Sequence, residues 1–361
     1  MNQSSSYNLP QAWLKSLVFF LVFLSLVATQ IVNGAEQKSR EGIQIENPGS
    51  ELWRNVRQRD FVFPGTSQVK GVDSSILINE QADRWARFRV NTLTNYGMLV
   101  LSAVALLILI FFLMRGRIKV EGGLSGDMLH RFSSYERVLH WVLALVFIFL
   151  AVTGLVLLFG RVLIIPLIGQ EAFSLLASSS KESHNLFGPV FLASLLLMLF
   201  RFVKKNIYAR GDLGWLLKGG GFIGRGHVTG GFFNMGEKSW YWLVIIVGLL
   251  ISISGLILLL PVFGQGRVIM ELSHVVHGTG AITLIAVAIG HIYLASVGTE
   301  GTTEGMKTGY VDIKWAEAHH DRWAKECHDQ NRVITGEEYA RRQGQSVLSD
   351  HTTGMSAEVR K

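Results

Sequence analysis

The sequence predicts an all-α integral membrane protein, a four-helix bundle preceded by one extra transmembrane helix. Three observations carry this. Of 361 residues, 49% are hydrophobic and 17% charged, with a mean hydropathy of +0.33; soluble domains carry roughly 25% charged residues. Five apolar segments, at 97–114, 137–159, 186–203, 240–262 and 275–297, are each about as long as ~30 Å of hydrocarbon requires at ~1.5 Å per residue. The runs are continuous and do not alternate, so helices rather than barrel strands would satisfy the backbone in lipid.

In chain order, Leu17 to Thr29 is an apolar run of 13 residues after Lys15, ending near Asn33-Gly34-Ala35. That is short for a span and suits a signal-peptide core, so 1–35 reads as a signal peptide. Residues 36–96 are polar and read as an exported periplasmic segment. Trp53-Arg54-Asn55-Val56-Arg57 and Trp85-Ala86-Arg87-Phe88-Arg89 look loosely alike, but two copies make no repeat architecture. The extra span at 97–114, a connection at 115–136, the bundle at 137–297 and a tail at 298–361 complete the chain.

Basic residues set the orientation. The connection after the first span holds Arg115, Arg117, Lys119, Arg131 and Arg137. The loop after the third holds Arg201, Lys204, Lys205, Arg210, Lys218, Arg225 and Lys238, while the other two loops hold only Arg161, Lys181 and Arg267. The positive-inside rule places the two basic loops and the tail in the cytoplasm and the N-terminal segment outside. The net charge of +7 follows from that asymmetry and needs no nucleic acid.

Cys327 is the single cysteine. This excludes a disulfide scaffold, a four-thiolate iron–sulfur cluster and a Cys-x-x-Cys-His haem attachment. Histidines near spans are costly and are functional candidates by default. His140 opens the second span on the inner side, His184 precedes the third on the outer side, and His277 and His291 share the fifth. Fourteen residues at ~100° each return to within ~40° of one face and advance ~21 Å. One helix therefore offers an imidazole near each surface: His277 can meet His184, and His291 can meet His140. Two stacked bis-histidine sites are the layout of a dihaem b-type cytochrome. His274 competes with His277 but stands ~100° off the shared face. His130, His227, His319, His320, His328 and His351 read as surface histidines. Gly154, Gly188, Gly278 and Gly280 suit close helix approach. Arg131, Arg137 and Arg201 read mainly as inner-face anchors, with propionate neutralisation as the sharper alternative.

Glu136-Arg137-Val138-Leu139-His140-Trp141 with Thr153-Gly154 resembles the first haem helix of respiratory formate dehydrogenase gamma (cytochrome b) subunits. So do Lys204-Lys205-Asn206, Asp212-Leu213-Gly214-Trp215-Leu216, Phe233-Asn234-Met235-Gly236-Glu237-Lys238 and the stretch from His277 to His291-Ile292-Tyr293. Glu304-Gly305-Met306, Trp315-Ala316 and His319-His320-Asp321-Arg322-Trp323 fit the family's inner tail. Leu52-Trp53-Arg54-Asn55-Val56-Arg57, Gly71-Val72 and Arg115-Gly116-Arg117-Ile118-Lys119-Val120-Glu121-Gly122-Gly123 resemble the longer proteobacterial form.

The resemblance implies a four-helix dihaem cytochrome b bundle in the bacterial inner membrane. Its two haem b irons would be ligated by His184 with His277 and by His140 with His291. It implies a quinone site, for menaquinone or ubiquinone, at Asn234, Gly236 and Glu237, where Glu237 departs from the family's usual Gln and could also carry a proton. An iron–sulfur beta subunit and a molybdenum or tungsten alpha subunit would be the partners, since this chain has no residues for formate chemistry and no catalytic residue of its own; a higher oligomer is compatible. The alternatives are a cytochrome b subunit of hydrogenase or thiosulfate reductase type, or a haem-free membrane anchor.

Overall fold

The computed structural model describes residues 85–209, 211–217 and 230–344. The signal-peptide reading of 1–35, most of the 36–96 segment, Arg210, Lys218, Arg225, His227 and His351 lie outside them. Five helices are long and apolar enough to cross a membrane. The first covers Trp85–Arg115, with a π-helical stretch at Phe88–Leu93 leading into α1 (Thr94–Arg115). Strand β1 (Met128–His130) precedes α2 (Ser134–Leu163) and α3 (Ile165–Phe202). After the short α4 (Asp212–Leu217) come α5 (Met235–Leu259) and α6 (Arg267–Tyr293).

Helices outrun the apolar segments that announce them. α3 starts 21 residues before 186 because Gln170-Glu171-Ala172 and Lys181-Glu182 are good helix formers that hydropathy alone discounts. Its one non-helical residue is Gly169, with φ 81° and ψ 170°.

The chain divides into two units. Of the described residues, one unit takes 85–90 and 160–183, and the other takes 91–159 and 184–344. Within the first, the Ser183 hydroxyl donates to the Ser179 carbonyl at 2.7 Å, and the Phe173 ring lies against Gly160. His140, His184, His277, His291 and a small sheet all belong to the second.

Here α5 lies along α6, and α1 packs on α6 as well. Small residues permit the approach: Gly97 lies against Ile282, Gly278 against Leu93, and Gly280 against Ile251. The Tyr241 hydroxyl donates to the Leu199 carbonyl at 3.0 Å and ties α5 to α3. Leu106, Leu113, Phe200 and Ile246 are exposed, as an apolar surface facing lipid requires.

The basic end of the bundle adds a small sheet to the all-helical plan. β2 (Tyr310–Asp312) and β3 (Val333–Ile334) flank β1 antiparallel, in the order β2-β1-β3. With α7 (Glu304–Thr308), α8 (Ile313–His319) and α9 (Asp321–Asp329), the sheet encloses a core in which Leu129, Val311, Ala316 and Cys327 have no exposed surface. Asp312 caps α8 by accepting from Lys314 N–H at 2.8 Å.

Buried ion pairs hold this end together. Glu136 accepts from Arg201 at 2.9 Å, Lys205 at 3.1 Å and Ser133 N–H at 2.9 Å. Lys238 donates to Asp212 at 2.7 Å, and both side chains are buried. Burial raises the Asp212 carboxyl, but the hydrogen bonds from Lys238 and Ala209 N–H outweigh it and hold it below its ordinary 3.8. A depressed carboxylate contributes stability above its unfolded value and loses it as pH falls through the folded one. Thermal denaturation followed over pH is therefore expected to show wild type more stable than Asp212→Asn at neutral pH, the margin closing on acidification below about 4. Lys238→Met removes the closest cation from that carboxylate, leaving Arg322 at 3.7 Å and Ala209 N–H, and should cost about 3 kcal/mol near neutrality.

Candidate functional site

α6 positions the site. His291, near its C-terminal end, faces His140 at the start of α2, their ring centroids 6.4 Å apart. His277, nearer the N-terminal end, faces His184 on α3 at 6.0 Å. A metal with two imidazole nitrogens at ~2 Å, plus ~1.1 Å from each nitrogen to its ring centre, sets the centroids roughly 6.2 Å apart. Both pairs have the spacing at which two imidazoles could hold one metal ion between them. The fourteen residues between His277 and His291 advance about 21 Å along the helix. His274 is directed elsewhere: its Nδ1 donates to the Met270 carbonyl on its own helix at 2.8 Å.

The two pairs differ in what orients them. His277 Nδ1 donates to the Ile251 carbonyl at 2.9 Å, with the Ser254 hydroxyl 3.5 Å away. His184 Nδ1 lies 2.9 Å from the Thr153 hydroxyl. That hydroxyl spends its own proton on the carbonyls of Phe149 or Leu150, at 3.0 and 3.1 Å, so it accepts from His184. Both Nδ1 atoms carry protons, and both Nε2 atoms keep a lone pair for a metal. In the other pair, His140 Nδ1 is buried without a protein partner. His291 is held by stacking, with the Trp240 indole 4.9 Å away at 16°. Trp141 sets its edge to His140 at 5.3 Å and donates to the Met306 carbonyl at 3.0 Å.

Glycines make room for the rings. A Cβ at Gly154 would stand 3.3 Å from His184 Cε1, and one at Gly255 would stand 3.0 Å from His277 Cε1 and 3.2 Å from Nδ1. Gly255 escaped the sequence reading, since nothing local in the sequence brings it to His277, 22 residues further on. A side chain at Gly188 would meet nothing within 4 Å.

Asn234, Gly236 and Glu237 come together at the start of α5. Asn234 Oδ1 accepts from Glu237 N–H at 2.9 Å, and Glu237 accepts from Asn234 N–H at 3.0 Å, a reciprocal cap. Gly236 lies against the Trp215 ring, which a Cβ would meet at 2.8 Å. Glu237 is also paired with Arg131 at 3.0 Å. Arg131 donates to the Phe232 carbonyl at 2.9 Å and sits among the rings of Phe132, Phe232, Phe233, Trp315 and Trp323, all within 5.0–5.8 Å of its guanidinium carbon. Buried and paired, it is engaged by protein groups, as are Arg137, which donates to the Lys307 carbonyl, and Arg201, which pairs with Glu136.

His320 corrects its reading as a surface histidine. It has no exposed surface, and its Nδ1 donates to the Gly231 carbonyl at 2.9 Å. Its Nε2 lies 3.7 Å from Glu237 Oε2. Burial first, then Arg131, pushes it down to about 3, so it is neutral. His319 is lowered by burial and stacks on Trp315 at 5.1 Å. The tail folds over the loop before α5, a long-range closure that no local pattern reveals.

Residues 131–309 match the family model described as Prokaryotic cytochrome b561. Over 204 residues the chain is 31% identical to the formate dehydrogenase cytochrome b556(fdo) subunit of Escherichia coli K12, covering 55% of this chain and 93% of that protein. It is 28% identical over 207 residues to the nitrate-inducible cytochrome b556(Fdn) subunit of the same strain, covering 56% and 93%. It is 22% identical over 197 residues to the cytochrome b556 subunit of Haemophilus influenzae Rd, covering 53% and 79%.

Proposed function

Since the chain belongs to the cytochrome b subunits of formate dehydrogenase, we propose that it passes electrons from an iron–sulfur subunit through two b haems to menaquinone or ubiquinone at the cytoplasmic side of the inner membrane. Haem b supplies one-electron exchange, and two imidazoles on the iron close it to other ligands. The observation that carries the reading is the double pairing along α6, His277 with His184 and His291 with His140, each at the spacing of a shared metal.

Four histidines are the haem ligands in this reading. Thr153 and the Ile251 carbonyl fix the tautomer and plane of the outer two. The basic residues near the His140–His291 end put that end in the cytoplasm by the positive-inside rule. On the same orientation residues 1–35 are a signal peptide, and 36–96 meet the exported alpha and beta subunits. Asn234, Gly236 and Glu237 border the quinone pocket. Glu237, paired with Arg131 and receiving Asn234 N–H, presents an accepting carboxylate there. Electrons moving inward across 100 mV store about 2.3 kcal/mol each.

The test is a redox spectrum of the isolated complex with haem and protein quantified. Two b haems per chain, reduced by formate and reoxidised by added quinone, are expected. A single haem, or haem that stays reduced in the presence of quinone, would overturn the reading.

A further inference from the structure

The two histidine pairs are built from the same residue type, yet they differ in the hydrogen bonding of their Nδ1 atoms. In the His184–His277 pair each ring donates its Nδ1 proton to an oxygen, of Thr153 at 2.9 Å and of Ile251 at 2.9 Å. A hydrogen bond at Nδ1 draws the proton off the ring and makes the ligating nitrogen a stronger electron donor. A stronger donor favours the oxidised iron and lowers its reduction potential. The His140–His291 pair lacks this device. Among the described residues His140 Nδ1 is buried with no protein acceptor, and the His291 ring is held by stacking under Trp240 at 16°. Stacking fixes a plane without drawing on the Nδ1 proton.

We propose that this asymmetry sets the order of the two haem potentials, the His184–His277 haem low and the His140–His291 haem high. Thr153 is then a positioning and tuning residue for the first, and Trp240 a positioning residue that fixes the ligand plane of the second. The inference rests on the two-haem reading above. It assigns the downhill direction along α6, from the outer pair to the inner one, to groups of this chain that touch neither donor nor acceptor.

Spectroelectrochemical titration of the intact complex tests it, with electron paramagnetic resonance of the oxidised low-spin haems. Wild type should give two b-type waves. Thr153→Val, which keeps the shape and removes the hydroxyl acceptor while leaving the Leu150 carbonyl near His184, should raise the lower wave alone, and Thr153→Ser should restore it. Trp240→Leu should shift the low-spin g values of the other haem, and Trp240→Phe should largely keep them. Thr153→Val raising the upper wave, or moving neither, overturns the proposal, as does a Trp240→Leu spectrum identical to wild type. If Thr153→Val assembles poorly, Thr153→Ser against Thr153→Ala decides by the same wave. A single wave in wild type would instead mark failure of the two-haem reading itself.

Discussion

Alanine in place of His291 is expected to remove one haem of the proposed pair and to abolish quinone reduction, while the other haem stays bound and formate still reduces it. The expectation follows from separation. His291 faces His140 at 6.4 Å, whereas its companion His277 on the same helix is ~21 Å away by helical rise. Sites further apart than about 7–10 Å with no shared partner behave independently. The His184–His277 pair keeps both imidazoles and both Nδ1 hydrogen bonds. Haem extracted per chain should fall from two to one, and quinone-driven reoxidation should drop by at least about a hundredfold, the loss of about 2.8 kcal/mol or more of barrier lowering. Loss of both haems in equal measure, or retention of both, would contradict the ligand assignment.

Leucine at Gly255 should eliminate the other centre. The first carbon of any side chain there would stand 3.0 Å from His277 Cε1 and 3.2 Å from Nδ1, so the ring must swing away. The swing breaks the Nδ1 bond to the Ile251 carbonyl and withdraws a ligand. Overpacking of this kind costs about 1–3 kcal/mol, and a lost ligand is not recovered by relaxation. Haem reduction by formate should fall at least about tenfold, at 1.4 kcal/mol per decade, because in the proposed reading electrons enter at this centre, while dithionite still reduces the remaining haem. Gly255→Ala should show a smaller loss. Formate reduction at the wild-type rate in Gly255→Leu would remove this glycine from the site.

Much of this arrangement is legible before any coordinates. Long apolar runs mark the spans because lipid tolerates little else, and the helical phase of His277 and His291 follows from a fixed rise and turn. The departures have physical causes. The start of α3 is hidden because Gln170, Glu171, Lys181 and Glu182 are compatible with a helix but not with a hydropathy window. The burial of His320 and the ring cage around Arg131 depend on the tail meeting the loop before α5, and spacing carries no trace of such contacts. Asn234 and Glu237 spell a capping box in sequence, and in the structure their side chains hold the start of α5. Gly255 was missed because a glycine in a span usually serves another helix and only coordinates show a ring in that place.

The sheet at the basic end ties together parts of the chain made at very different times. β1 pairs with β2 and β3, and Val120 N–H donates to Glu300, 180 residues further on. Four membrane crossings intervene. During synthesis, β1 therefore waits on its own side of the bilayer, its edges bare, until the last crossing is threaded and the tail emerges beside it. A chain that threads an odd number of those crossings delivers its tail to the opposite compartment and can never close the sheet. This clasp thus makes correct insertion a condition of finishing the fold, and a mis-threaded copy keeps its strand edges open.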